Sequence, residues 1–384
     1  MKKVSQPAAP APVRVARAAH DSARKAFVET CRQGNLTLVL GAGVSIPQGI
    51  PNWNDLGRRV WDAAFPKEDS PWNVPKGVQS PREVPQFLPI VFELAARKLG
   101  DGPFVELLRQ CLYRDVPRTW ARNLRRSRHT LAVLARAILL QTRADHRRRL
   151  LRVITFNADD LLETAVRQLH GRFVKRPVQV IARPSAEPVW NDGRDRLPFY
   201  HVHGFVPRDE EKGDDFISRR TRRSYDHLLV FTDEQYWRST AAPLAHANRI
   251  VAGALSDSHC VFVGLSMTDA NLLRWLALRR LEFESDARER ALRILDEEMD
   301  ARGHVREARP TADGSREPPP GYHLKAATRI VEQKLQRHFW IRPRSADPTG
   351  FLSDFLRLRG VISVEIADWT GPSFSTLMRA AFRD

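Results

Sequence analysis

Apolar residues fall in short runs separated by segments with a helical repeat, and that alternation sets the first expectation for the fold. Leu36, Leu38, Val39 and Leu40 make a strand-like run that stops at Gly41, Ala42 and Gly43. Comparable runs occupy residues 153–156, 199–202, 259–263 and 361–366, with shorter strand-like pieces in 171–189 and a run at 228–231. Between them apolar positions recur at three- and four-residue spacing. Ala23, Phe27, Val28 and Cys31 share one helical face ahead of Gly34. Leu56, Val60, Trp61 and Ala64 share another, behind a cap at Asn52 or Asn54. Leu161, Leu162, Ala165 and Leu169 mark a helix over 160–169, Asp269 or Asn271 opens one through 281, and a last helix starts at Ser373. Strands alternating with helices predict an α/β fold built on a doubly wound parallel sheet.

One interruption stands out. Pro66, Pro71, Pro75, Pro81 and Pro85 make residues 66–85 a loop, after which helical patterns cover 87–98, 103–112 and 118–151. This predicts a mostly helical insertion, 66–150, between the first and second strands. The expected organisation is a flexible tail over 1–16 and a domain over 17–300 containing that insertion. An exposed loop rich in Gly and Pro follows over 301–323, and residues 324–384 add a last strand and helices to the same domain.

Composition narrows the class. The chain is 42% hydrophobic and 28% charged, and its longest candidate span, 131–140, is broken by Arg136. A membrane span and a signal peptide are therefore not expected. Three widely spaced cysteines, Cys31, Cys111 and Cys260, give neither a disulfide framework nor a zinc site. A cytoplasmic location is expected. The net charge of +17 invites a nucleic-acid reading. Yet arginines at 122–128, 147–149 and 219–223 lack interleaved aromatics, so solvated faces account for them equally well. Direct nucleic-acid contact is not favoured over an acidic partner or an anionic ligand.

The candidate chemistry gathers at strand ends. In an open parallel sheet, ligands bind beyond the carboxyl ends of the strands. Three runs end in polar residues of interest: Asn157, His203, and the segment 266–271. The small-residue turn at 41–45 lies at the same edge, where its N–H groups are expected to cradle a pyrophosphate. Ile46 stands where a dinucleotide fingerprint would place its third small residue, and no acidic residue follows about 20 positions on. That weakens a dehydrogenase reading.

Together these segments resemble the sirtuin family. Gly41-Ala42-Gly43-Val44-Ser45, then Gly49-Ile50-Pro51 and Trp53, is similar to its opening motif. Thr155-Phe156-Asn157-Ala158-Asp159 is similar to its T-Q-N-x-D motif, His203-Gly204 to its catalytic His-Gly, and Val263-Gly264-Leu265-Ser266 to its V-G-T-S segment. The resemblance spans residues 36–275 and implies a Rossmann-like fold. Two departures matter: the chain has no four-cysteine zinc ribbon, and Phe156 replaces the Gln that meets a ribose hydroxyl. Residues 157–163, 231–236 and 266–272 resemble instead the bacterial sirtuin-like branch of anti-phage defence, whose members hydrolyse NAD+.

The resemblance implies Asn157 and His203 as catalytic residues. Gly41, Ala42, Gly43, Ser45, Trp53, Asp159, Gly264, Ser266 and Asn271 become NAD+-binding residues, and no metal is expected. Asn157 would hold the ribose or a water, Asp159 would accept from the nicotinamide carboxamide, and His203 would act as a weak base. Ser266 and Asn271 would face the adenosine. His201 is expected to pack as a neighbour on the strand's other face, Asp160 and Glu163 to be helix N-terminal acids, and Asp269 to be a cap or a site residue. The implied activity is an NAD+ hydrolase acting as an abortive-infection effector. It would be gated by oligomerisation or by a partner, either a hexameric helicase-type ATPase or a short Argonaute. Protein deacylation or ADP-ribosyl transfer, and a non-catalytic nucleotide- or nucleic-acid-binding subunit, are the alternatives.

Overall fold

The computed structural model describes residues 12–73, 87–122, 124–141, 149–170, 178–181, 197–208, 229–235, 246–301 and 337–382. Strand β1 (Leu36–Leu40) is buried along its whole length, and its alternating side chains divide the molecule into two layers. Leu36, Leu38 and Leu40 enter one core and Val39 the other. Strand β5 (His259–Val263) repeats the division, with Val261 and Val263 against Cys260 and Phe262. A strand buried on both faces reads as a continuous apolar run, which is why these two stand out in the sequence.

Among the described residues seven strands form one sheet, in the order β3-β4-β2-β1-β5-β6-β7, and every neighbouring pair is parallel. The others are β2 (Leu150–Thr155), β3 (Val178–Ile181), β4 (Leu197–His201), β6 (His338–Pro343) and β7 (Val361–Ile366). The first core packs α1 (Pro12–Gln33), α2 (Trp53–Ala64), α3 (Phe87–Leu99), α4 (Asp101–Tyr113), α5 (Thr130–Gln141), α6 (Leu161–His170) and, from the far end of the chain, Pro372–Phe382. The second packs α7 (His246–Asp257), α8 (Ala270–Ala301) and α9 (Phe351–Arg357), which makes Pro372–Phe382 α10. Helices on both faces of a parallel sheet are the doubly wound, Rossmann-like arrangement expected. The chain leaves β1 toward β2 on one side and β5 toward β6 on the other, so the topological switch lies between β1 and β5.

Several expectations change. Helix α1 begins at Pro12, inside the stretch read as a tail. The helical pattern over 118–151 resolves into turns, the shorter α5 and the start of β2. Arg136 organises those turns, its guanidinium donating to the carbonyls of Leu124 (2.7 Å) and Ser127 (2.7 Å). Strand β6 was not expected, because Arg342 lies inside it. That guanidinium is buried beside Asp347 and Glu365, each at 3.8 Å. Residues 229–231 are not a strand, and α8 runs well past 281. Residues 302–323, the arginines at 219–223 and most of 171–189 lie outside the described residues.

Candidate functional site

At the switch point the turn after β1 locks into the loop after β5. Gly41 N–H donates to Val263 O (3.0 Å) and Gly43 N–H to Gly264 O (2.9 Å), while Val44 and Ser45 N–H close on Gly41 and Ala42. A Cβ on Gly43 would lie 2.8 Å from Gly264 Cα, and one on Gly264, which has φ +69°, would lie 2.6 Å from Val44 N. The glycines are thus required by backbone approach. Their amides are engaged within the protein, which corrects the expectation that Gly41 and Gly43 present a row of open donors to pyrophosphate.

Ser45, buried at the end of this turn, reaches across to the loop after β2. Its hydroxyl donates to Asp159 Oδ1 (3.0 Å) and accepts from Asn157 Nδ2 (3.3 Å). Ser45 therefore ties two other site residues together instead of facing a phosphate. Asp159 Oδ1 also accepts from Leu161 N–H (3.1 Å), closing the first turn of α6. Burial pushes the Asp159 carboxyl up to about 7 against that N–H bond, and the charge of Glu163 adds to the rise. Asp160 is raised to about 6, again chiefly by burial. Its N–H donates to the Tyr113 hydroxyl (2.9 Å), which in turn donates to Val206 O (2.7 Å), so Asp160 belongs to the frame of the loop.

The two histidines at the end of β4 have different settings. His201 Nε2 lies 2.5 Å from Glu163 Oε1 and its Nδ1 lies 2.9 Å from Asn157 O, all of it buried. Burial alone would lower the His201 pKa, but Glu163 and the Asn157 carbonyl outweigh it and hold the ring above its ordinary range. With both acceptors in place, the protonated ring donates from both nitrogens. His203, two residues on, stands past the strand in a turn. Its ring meets the Phe156 ring edge-on at 4.9 Å, and its buried Nδ1 has no hydrogen-bond partner among the described residues. Burial lowers its pKa against the pull of the Asp269 carboxylate. Residues two apart in a strand share a face, so pleat alternation is not what separates the histidines. The strand ends at His201, and the turn redirects His203.

The loop after β5 is held by Trp340 Nε1 donating to Leu265 O (3.0 Å). Asp269 caps α8, accepting Leu272 N–H at 2.7 Å. Ser266 is exposed, its hydroxyl 2.7 Å from that of Thr268. Asn271 turns to α7, donating to Asn248 Oδ1 (3.1 Å), and its own Oδ1 accepts from Arg274. The structure thus ties the Asn271 amide to a neighbouring helix. Trp53 meets Phe92 edge-on and Phe231 at a tilt, and is 37% exposed. With Ala42, Ile50, Phe156, Asn157 and Asp159 it lines a recess of about 30 Å³.

Residues 151–312 match the family model of the SIR2-like domain. Over those residues the chain is similar to the SIR2-like domain. The match takes in the loops bearing Asn157, Asp159, His203, Gly264, Ser266 and Asn271, and lies beyond the turn at 41–45. A search of curated proteins finds no match. The SIR2-like family uses NAD+, and the residues present suit it. Asp159, its carboxyl raised to about 7 by burial, lines a recess walled by rings, and His203, with its orphaned nitrogen, meets one of those rings, Phe156. No group of three or more metal-ligating side chains occurs among the described residues, and no described helix is long and apolar enough to cross a membrane.

Two members of this SIR2-like site escaped the sequence reading. Glu163 is the buried partner of His201, although its place in the first turn of α6 reads as a helix-dipole acid. Asp269, left open between cap and site, is both a cap and the carboxylate that acts on His203.

Proposed function

We propose that the protein hydrolyses NAD+ to nicotinamide and ADP-ribose. The observation that carries this reading is the buried, unpartnered Nδ1 of His203, whose ring meets Phe156, the residue before Asn157 of the Asn157–Ser45–Asp159 cluster. The bond from ribose C1′ to the pyridinium nitrogen breaks, its electrons stay with nitrogen, and nicotinamide leaves neutral. Water oxygen bonds to C1′ and its proton passes to His203, whose lowered pKa keeps the ring a neutral acceptor. Asn157 orients the ribose or the water, and Asp159 accepts from the carboxamide. The recess as it stands has room for water only, so nicotinamide entry requires movement at its rim, where Trp53 is the exposed ring.

Unrestrained NAD+ cleavage would harm the cell that makes the protein. An abortive-infection effector gated by self-association or by a partner ATPase is the biological role this reading favours, with a short Argonaute as the other partner. Purified protein, alone and with a partner, is incubated with NAD+ and the products are separated chromatographically. Release of nicotinamide and free ADP-ribose in equal amounts supports hydrolysis. ADP-ribose retained on protein would replace it with transfer, and no nicotinamide release under any of these conditions would refute the proposal.

A further inference from the structure

At the opposite rim of the sheet, where β6 and β7 begin, an open cavity of about 140 Å³ is lined by Arg279, Arg280, Arg337, Arg357 and Arg359 together with His338. Three elements supply these arginines: the middle of α8, the entry to β6, and the turn from α9 into β7. Among the described residues no carboxylate lines the cavity. Glu282, Glu284 and Asp354 pair with Arg279, Arg280 and Arg357, but all three carboxylates are exposed, from 48% at Glu284 to 72% at Asp354. Such pairs contribute little and exchange readily for another anion.

Two features separate this cavity from a solvated basic face. The Arg279 guanidinium carbon sits over the Phe283 ring, 4.2 Å from its centre, and the buried Nε has no hydrogen-bond partner among the described residues. His338 is buried and accepts Cys260 N–H at Nδ1 (3.1 Å), so its proton is on Nε2. Burial chiefly, with His259 and Arg279 nearby, drives its pKa down to about 3.

We propose that this cavity binds a phosphate-bearing small molecule through a multiply charged headgroup, a pyrophosphate or a phosphomonoester. Guanidinium forks match phosphate oxygens two at a time. Five of them exceed what a single carboxylate would draw together. A nucleic-acid backbone spreads one charge per phosphate along a track, whereas these arginines converge on a concavity.

Isothermal titration of the full chain with sodium pyrophosphate at about 0.15 M salt tests the proposal. Saturable binding at one site is expected, weakened about tenfold by Arg279→Gln and by Arg359→Gln, each loss of a charged hydrogen bond being of that size. Asn157→Ala should bind as the unaltered protein does. Because the two arginines lie on different elements, and Arg279→Lys keeps charge without the fork, misfolding of one variant does not remove the test. No saturable binding would overturn the proposal, as would affinity unchanged from the unaltered protein in both arginine variants, or loss confined to Asn157→Ala. Binding of a single-stranded oligonucleotide alone, with steep salt dependence, would overturn it in favour of an extended face.

Discussion

His201 and His203 stand two residues apart, yet the fold gives them opposite tasks. His201 ends β4, lies within the first core, and spends both nitrogens on Glu163 and Asn157. His203 stands in the following turn, against Phe156, and keeps Nδ1 without a partner. A buried imidazole bonded on both sides holds structure, and one left unsatisfied is prepared for something absent from the protein itself. The largest expected effect is therefore on chemistry. His203→Ala should slow nicotinamide release by about 10²–10⁴-fold while leaving the melting temperature nearly unchanged. An equal loss in His201→Gln, with no change in stability, would erase the distinction.

The partner of His201 should be felt in stability. Glu163→Ala leaves a buried imidazolium without its counter-charge, a change that costs about 3–5 kcal/mol when a buried pair is broken from one side. Chemical unfolding monitored by tryptophan fluorescence measures it. Because His201 holds the Asn157 carbonyl, some activity should be lost as well, as a consequence of displacement of the Asn157 loop.

A third change leaves both rings alone and disturbs the frame. Gly43→Ala puts a Cβ 2.8 Å from Gly264 Cα, backbone against backbone, where no side chain can give way. Overpacking of that kind costs about 1–3 kcal/mol. Weaker NAD+ binding should accompany it, since Ser45 follows directly and ties Asn157 to Asp159. A stable Gly43→Ala protein with unchanged KM would mean the interlock is dispensable.

Much of this was legible in the chain, for physical reasons that also mark where reading stops. β1 and β5 were found at their observed bounds because a strand buried on both faces must be apolar throughout. Asn157 and His203 stand out in the sequence because each is a polar residue at or just past the end of such a run. β6 was missed because the charge of Arg342 is neutralised by Asp347, beside it in sequence, and by Glu365 on β7, a pairing that only the fold creates. The His201–Glu163 pair joins a strand to a helix 38 residues earlier, and nothing in either segment names the other. In the turn at 41–45 the Gly41 and Gly43 N–H groups are bonded within the protein, where the sequence suggested open donors, since small residues signal close approach without saying whether backbone or ligand approaches.

The subtlest expectation concerns pH. His203 is depressed in the folded protein from about 6.5, so the unfolded chain takes up a proton more readily and the stability His203 permits is lost as pH falls below that value. His201 is raised, so its contribution is complete below about 6.5 and fades as pH climbs through the elevated value. Thermal melting from pH 5 to 8 separates the two. His203→Gln cannot take that proton, so its stability relative to the unaltered protein should improve toward pH 5. Glu163→Gln removes the charge that raises His201, so its deficit should be greatest toward pH 5 and shrink toward pH 8. Asp159, at about 7, contributes most at acid pH and loses that contribution by pH 8, in the unaltered protein and in His203→Gln alike. It therefore drops out of the first difference. If both differences sloped the same way, the two rings would not be held in opposite states, and His203 would lose its standing as the neutral acceptor of the site.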